Sequence, residues 1–254
     1  QLARGAWARQ ASAGGEPGMG LTLRFFVASR GSDSLDGELR AEQSAFGDLV
    51  LVPGLEEEFG LLWRKTLAIL RFAHHHFRAH GGPLARRYLL KADDDSFLSI
   101  GRIVEDLFSE ELPPSGVYWG HIIPLAQPVR DARDRNYVPE SAYSLQFYPP
   151  YAQGMAYALS EDLVLGLGSA LERKLLPAFP YAEDVSVGVY LQALASKGLL
   201  RVVPVQRAAR MPIDFPASCR EPGAPGEHLV LHRFEASAAE CLARELEAPS
   251  PRYC

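Results

Sequence analysis

The stretch Tyr88-Leu89-Leu90-Lys91-Ala92-Asp93-Asp94-Asp95-Ser96-Phe97 runs an apolar segment directly into three consecutive carboxylates. A buried strand ending there delivers all of that negative charge into one small volume. Ions are costly to desolvate and adjacent like charges raise one another's pKa, so such a cluster persists only if a cation or a dense set of donors compensates it. A divalent metal is the simplest compensator. Side chains alternate along a strand, which predicts Asp93 and Asp95 on one side and Asp94 on the other. An Asp-x-Asp pair at a strand end suits Mn²⁺ or Mg²⁺, hard ions that take carboxylate oxygens together with phosphate oxygens of a substrate. The alternative reading is a solvated acidic turn capping the helix that follows.

Upstream, residues 21–28 read as a first strand and 48–52 as a second, short one stopped by Pro53-Gly54. From Phe59 the positions Leu62, Trp63, Thr66, Leu70, Ala73 and Phe77 recur at helical spacing, which predicts a long amphipathic helix ended by Gly81-Gly82-Pro83. His74-His75-His76 fall in its last turn, but consecutive helical residues lie about 100° apart and do not converge on one metal. They are expected on the surface, as partners of the helix C-terminus.

Downstream, Ser99 is a candidate N-cap for a helix with Ile103, Val104, Leu107 and Phe108 inward. Residues 116–120 read as a strand, and 124–142 as an extended loop able to reach over a site. In the run from Tyr148 to Ser160 a proline-stiffened turn joins a short strand, and Ser160 is placed to cap the next helix. Gly154 marks either a bulge or a place where something approaches the backbone closely. Glu183-Asp184 opens another helix, 185–197, stopped by Gly198; 200–205 is a late strand, followed by a loop and then His228-Leu229-Val230-Leu231-His232. This order of elements fits one layered α/β domain with the acidic cluster at a strand's C-terminal edge, the usual ligand side of such sheets.

Composition narrows the classes. Of 254 residues 47% are hydrophobic, enough for a substantial core, and 26 basic against 31 acidic residues give a net charge of −5. No basic block of the kind nucleic-acid binding demands is present, so nucleic acid is not an expected partner. No apolar run reaches the roughly 18–20 residues of a membrane span. The start, Gln1-Leu2-Ala3-Arg4, lacks an initiator Met and a signal pattern, and the expectation is a trimmed chain, which leaves an anchor or stem upstream open. Cys241 falls on the apolar face of a helical pattern with Phe234, Ala238 and Leu242, while Cys219 and Cys254 lie in loop-like sequence and are the expected disulfide. Three reduced thiols are the alternative. No GxGxxG, GxxxxGK[ST], GxSxG or HExxH motif occurs, which argues against a Rossmann dehydrogenase, a P-loop NTPase, a serine hydrolase and a zinc protease.

Taken together these residues resemble glycosyltransferase family 31, the β-1,3-galactosyl- and N-acetylglucosaminyltransferases of the Golgi. The family's Arg-x-Thr-Trp resembles Arg4-Gly5-Ala6-Trp7, with Ala6 in place of Thr; its Phe-Leu-Leu-Gly resembles Phe25-Phe26-Val27-Ala28; its Glu-x3-Tyr-Gly-Asp resembles Glu42 followed by Phe46-Gly47-Asp48. Leu61 to Thr66 is similar to its Leu-Thr-Leu-Lys-Thr helix, Lys91 to Phe97 to Lys-x-Asp-Asp-Asp-x-Phe, Tyr148 to Ser160 to its Tyr-Pro-x-Tyr motif with one extra Pro, and Glu183 to Gly188 to Glu-Asp-Val-x-x-Gly. Within the family the pattern looks most like the galactosyltransferases that add β-1,3-galactose to galactosyl-xylose in the glycosaminoglycan linker.

The resemblance implies a GT-A-like nucleotide-sugar-binding fold, a mixed central sheet flanked by helices, spanning 1–254 as a single catalytic domain. It implies UDP-galactose as donor, a glycan or glycoconjugate acceptor, and inverting transfer that forms a β-1,3 linkage. Mn²⁺ or Mg²⁺ would be held by Asp95 and His232, the latter because the family's ligand is a His followed by a basic residue, here His232-Arg233. Asp93 and Asp94 would orient ribose and sugar hydroxyls, Lys65 would lie near the diphosphate, Arg4 would join the nucleotide-binding positions, and Gly154 and Met155 would line the sugar site. Asp184 is the implied base, with Glu183 second. The full-length protein would be a type II membrane protein of the Golgi lumen. The rival readings are a UDP-GlcNAc-dependent transferase of the same fold and a binding protein that keeps the fold without transfer.

Overall fold

The computed structural model describes residues 20–29, 33–80, 86–211 and 228–232. In chain order the elements are strand β1 (Phe25–Ser29), helix α1 (Asp33–Phe46), strand β2 (Leu49–Glu56), a 3-10 turn (Phe59–Leu61) leading into α2 (Leu62–Ala79), and β3 (Tyr88–Ala92). The short β4 (Phe97–Leu98) and α3 (Ile100–Leu107) follow, then β5 (Val117–Ile123), β6 (Tyr151–Ser160), α4 (Glu161–Glu172), α5 (Glu183–Ala195), β7 (Val203–Gln206) and β8 (Val230–Leu231).

The central sheet is four-stranded in the order β3-β6-β5-β7. β6 runs antiparallel to both β3 and β5, and β7 pairs parallel with β5, so the sheet is mixed. The two-residue alternation of strands sorts its side chains cleanly. Tyr118, Tyr157 and Leu159 meet Leu70 and Phe77 of α2, Leu163 and Leu167 of α4, and Leu191 of α5 in one core. Val117, Trp119, Ala156 and Ala158 meet Ile103 and Leu107 of α3, with Leu98 and Val230, in the other. Helices thus cover both faces, the arrangement of a mixed α/β fold. α5 is apolar nearly all round, and Val185, Val187, Tyr190, Leu191 and Leu194 are all buried, as a helix of that composition requires. β1 and β2 form a separate parallel pair.

Several expectations needed correction. Residues 33–46, unassigned in the sequence, form α1; the segment is largely polar, so hydrophobic periodicity gave no signal. Pro53-Gly54 does not stop β2. Ala28 pairs with Val52 and Ser29 with Glu56, so the dipeptide is looped out as a bulge, with Gly54 at φ 65° where a side chain would be strained. Phe108 is not inward: it is 39% exposed and packs edge-on against Tyr88. The 200–205 strand is the shorter β7, while β6 runs ten residues. The 124–142 segment is a loop, tied by one bridge between Val129 and Tyr137. The expected stop of α2 at 81–83, the loop of 212–226, the Phe234–Leu242 helical pattern, Arg4 and all three cysteines lie outside the described residues.

His74 is also corrected, from surface to core. It sits four residues after Leu70 and three before Phe77, hence on the buried face of α2, and is 2% exposed. Its Nε2 lies 3.6 Å from Glu172 Oε1, and among the described residues neither ring nitrogen makes a hydrogen bond. The side chain packs against Gly168 in α4: a Cβ added there would come within 2.3 Å of a ring carbon. Alanine favours a helix over glycine by about 1 kcal/mol. Overpacking costs about 1–3 kcal/mol, and a buried ring has nowhere to swing, so Gly168→Ala is expected to lower stability in urea titration. Gly37→Ala in α1, where a Cβ meets nothing within 4 Å, is expected to raise it by about 0.5–1 kcal/mol.

Candidate active site

β3 ends at Ala92, and the next residues turn rather than continue the strand: the Ser96 N–H donates to the Asp93 carbonyl at 3.2 Å. The turn, not strand alternation, therefore sets where the three aspartates point, and Asp94 is exposed. β4, directly after the turn, pairs antiparallel with β8, Phe97 with Leu231 and Leu98 with Val230. That ladder delivers the residue after β8, His232, to the acidic turn, with its Nε2 3.5 Å from Asp95 Oδ1. Asp93, Asp95 and His232 each offer a ligand atom within 4.8 Å of the others. Two carboxylates and an imidazole this close fit a hard-to-borderline divalent ion such as Mn²⁺.

Across the sheet edge stands a second acidic group. Opposite the β5 register shift between Gly120 and Ile122, the segment between Ala152 and Tyr157 of β6 leaves β5, while the Asp93 N–H donates to the Met155 carbonyl at 3.2 Å. Gly154 lies in this bulge, and a Cβ there would stand 2.9 Å from Glu183 Oε1, 3.5 Å from Asp93 Oδ2 and 3.7 Å from Asp184 Oδ2. Both readings of Gly154 hold at once: it is in a bulge, and three carboxylates approach it.

Lys91 joins the two groups. Its ammonium, on a side chain only 9% exposed, donates to Asp93 Oδ1 at 2.5 Å, Glu183 Oε1 at 2.6 Å and the Gly154 carbonyl at 2.9 Å. Burial works to lower its pKa, but the Glu183 and Asp93 carboxylates outweigh that and hold it above the ordinary lysine range. The Thr66 hydroxyl donates to Glu183 Oε2 at 2.8 Å, and the Tyr157 phenol reaches the same oxygen at 3.5 Å. Tyr157 stays protonated, its pKa pushed well up by burial and then by Glu183. Glu183 is thus held on every side.

Asp184 is differently placed. Its Oδ2 accepts the Gly154 N–H at 3.1 Å and its Oδ1 the Val185 N–H at 2.8 Å, and among the described residues no side chain donates to it. Burial first, and then the Glu183 charge, push its pKa up to about 6, against the Val185 and Gly154 N–H groups and Lys91, which pull it down. The helix start favours the charged form, but desolvation prevails. The result is a carboxylate with the basicity of a proton acceptor near neutral pH.

Of the other sequence-derived positions, Met155 is 3% exposed with its side chain in the same core as Leu98 and Val230, and its carbonyl accepts the Asp93 N–H. Lys65 bonds Glu57 at 2.6 and 2.7 Å, and Glu57 also accepts the Ala28 N–H at 2.8 Å, which fixes Lys65 at the end of β1. Lys91, Thr66 and Tyr157 were not assigned site roles from sequence. Lys91 had a readable signal, a cation inside an apolar strand, which burial tolerates only with a partner. Thr66 and Tyr157 gave none.

Three side chains that can each offer a ligand atom to a cation, set opposite a desolvated carboxylate across a strand edge, are an arrangement able to serve group transfer or hydrolysis. The family model described as Galactosyltransferase matches residues 1–197, and the chain belongs to that family. The match ends before His232, whose place beside Asp95 comes from the β4–β8 pairing. Among curated relatives, hydroxyproline O-galactosyltransferase GALT5 of Arabidopsis thaliana is 33% identical over 68% of this chain and 24% of its own length. Beta-1,3-galactosyltransferase 6 of Mus musculus is 33% identical over 83% of this chain and 58% of its own. N-acetyllactosaminide beta-1,3-N-acetylglucosaminyltransferase 4 of Mus musculus is 31% identical over 91% and 59%. The chain therefore spans between a quarter and three fifths of the length of these relatives, whose names include both galactosyl- and N-acetylglucosaminyltransferases. Among the described residues no helix is long and apolar enough to cross a membrane.

Proposed function

We propose that this chain is the GT-A catalytic domain of an inverting β-1,3-glycosyltransferase that moves galactose from UDP-galactose to a hydroxyl of an acceptor sugar. The observation that supports it most is the meeting of Asp184, desolvated and short of side-chain donors, with the Asp93–Asp95–His232 group across Gly154. Asp93, Asp95 and His232 would hold the divalent ion, which when bound supplies positive charge to the diphosphate leaving group. Asp184 takes the proton of the acceptor hydroxyl as its oxygen forms the new bond to the anomeric carbon and the bond to UDP breaks, with inversion. Glu183, bonded by Lys91, Thr66 and Tyr157, keeps the helix start in place instead of taking the proton. The side-chain-free Gly154 leaves room at the sugar.

The relatives' names support β-1,3 transfer of either galactose or N-acetylglucosamine; the resemblance of Leu90 to Phe97 and of Glu183 to Gly188 to the linker galactosyltransferases favours galactose, with galactosyl-xylose as first acceptor to try. A Golgi-lumenal, membrane-anchored full-length protein follows from the same reading. Hydrolysis of UDP-galactose and UDP-GlcNAc with Mn²⁺ and with EDTA is the test. Mn²⁺-dependent release of UDP from UDP-galactose, faster with galactosyl-xylose, is expected. Preference for UDP-GlcNAc would replace the donor, and no turnover of either would replace the enzyme by a binding protein.

A further inference from the structure

The Lys91 ammonium occupies one of the carboxylates that the cation group needs. It donates to Asp93 Oδ1 at 2.5 Å, and the Asp93 carboxylate is also one of the three groups, with Asp95 and His232, that bring ligand atoms within 4.8 Å of one another. Its remaining bonds run to Glu183 Oε1 and the Gly154 carbonyl, that is, to the residue before Asp184 and to the residue whose N–H holds Asp184. One buried cation therefore touches both halves of the site.

We propose that Lys91 is a positioning residue that competes with the divalent ion for Asp93 and links ion binding to the placement of the Asp184 turn. The inference rests on the reading of the site given above. With Asp93 shared, the ammonium and the ion repel each other across a short, partly desolvated distance. As the ion draws on Asp93, Lys91 is left to bear on Glu183 and the Gly154 carbonyl, tightening the strand and helix start that carry Asp184. Ion affinity is lowered by this arrangement, and the alignment of the base is improved by it.

Mn²⁺ binding to the whole chain by titration calorimetry, without donor, tests the competition directly. Lys91→Met is expected to bind Mn²⁺ about tenfold more tightly than the parent, a change of about one pK unit's worth of charge interaction, while kcat for transfer falls and KM for the donor moves little. Lys91→Met alone strands Glu183 as a buried charge, so the pair Lys91→Met with Glu183→Gln removes both charges as a unit and protects the fold. It is expected to keep a smaller gain in Mn²⁺ affinity, about threefold, because Glu183→Gln also removes a nearby negative charge while Asp93 is still freed of its ammonium. In this charge-balanced pair a purely structural lysine would not tighten metal binding. Affinity within twofold of the parent, or weaker, in the folded double variant overturns the inference and leaves the site reading intact; a parent chain that binds no Mn²⁺ overturns both.

Discussion

Asp184→Asn is expected to lower the rate of sugar transfer by about 10²–10⁴-fold, the range for loss of a general base, with Mn²⁺ affinity unchanged. The asparagine keeps the volume and can still accept one of the two N–H bonds from Gly154 and Val185. What it loses is the capacity to take a proton. The pH dependence is the sharper readout. With its pKa raised to about 6, Asp184 is protonated and idle below that pH, so kcat in the parent should climb as pH rises through about 6 and then level, while the residual rate of Asp184→Asn should lack that limb. Stability runs the other way. A carboxyl with a raised folded pKa stabilises the fold below the ordinary aspartate range, and that contribution is lost as pH rises through about 6. Asp184→Asn should therefore gain stability relative to the parent above pH 6, and a variant that lost both activity and stability there would refute the assignment.

The contrast between Glu183 and Asp184 could not be drawn from sequence. Both open the same helix, and the resemblance named Asp184 first without a physical reason. Support for the proposed order lies in β3, α2 and β6, remote in sequence: Lys91, Thr66 and Tyr157 converge on Glu183 and leave its neighbour to two backbone donors. Which of two adjacent carboxylates is free is a tertiary property. By contrast, β3, α2 and α5 were legible, because each carries a strong period or a run of apolar residues long enough to outweigh local irregularities.

The acidic turn was legible for a reason that turned out to be incomplete. Three carboxylates behind an apolar strand predicted compensation, and Lys91 and His232 now stand within bonding or ion-pair distance of them. The expected geometry came from strand alternation, yet the Asp93–Ser96 turn produces the pairing of Asp93 with Asp95. Met155 has its side chain in the core and only its carbonyl on the Asp93 N–H, a placement that its position beside the β6 bulge does not reveal from sequence. His74 and the Pro53-Gly54 bulge were missed because a histidine and a Pro-Gly pair are usually surface and stop signals, and only packing against Gly168 and pairing with β1 override them.

Trp119→Ala is expected to produce the largest loss of stability, about 3–5 kcal/mol in chemical denaturation. Trp119 is fully buried at the centre of β5, in the core shared with α3, Leu98 and Val230. Its indole N–H donates to Asp106 Oδ2 at 2.5 Å, and Asp106 also takes Arg207 at 2.7 Å and Arg210 at 3.5 Å. Trp119→Phe separates the two contributions. It keeps most of the ring volume, at the cost of a small cavity, and removes the hydrogen bond to a charged acceptor, a kind of bond that contributes about 1.5–3 kcal/mol. Here Arg207 and Arg210 remain on Asp106, so the loss should fall at the low end of that range. The consequence extends to the site, because this core backs the β4–β8 ladder that holds His232 beside Asp95. Trp119→Ala should weaken Mn²⁺ binding as that ladder loosens, whereas Trp119→Phe should leave it near the parent value; equal Mn²⁺ affinity in both would show that the ladder stands without this core.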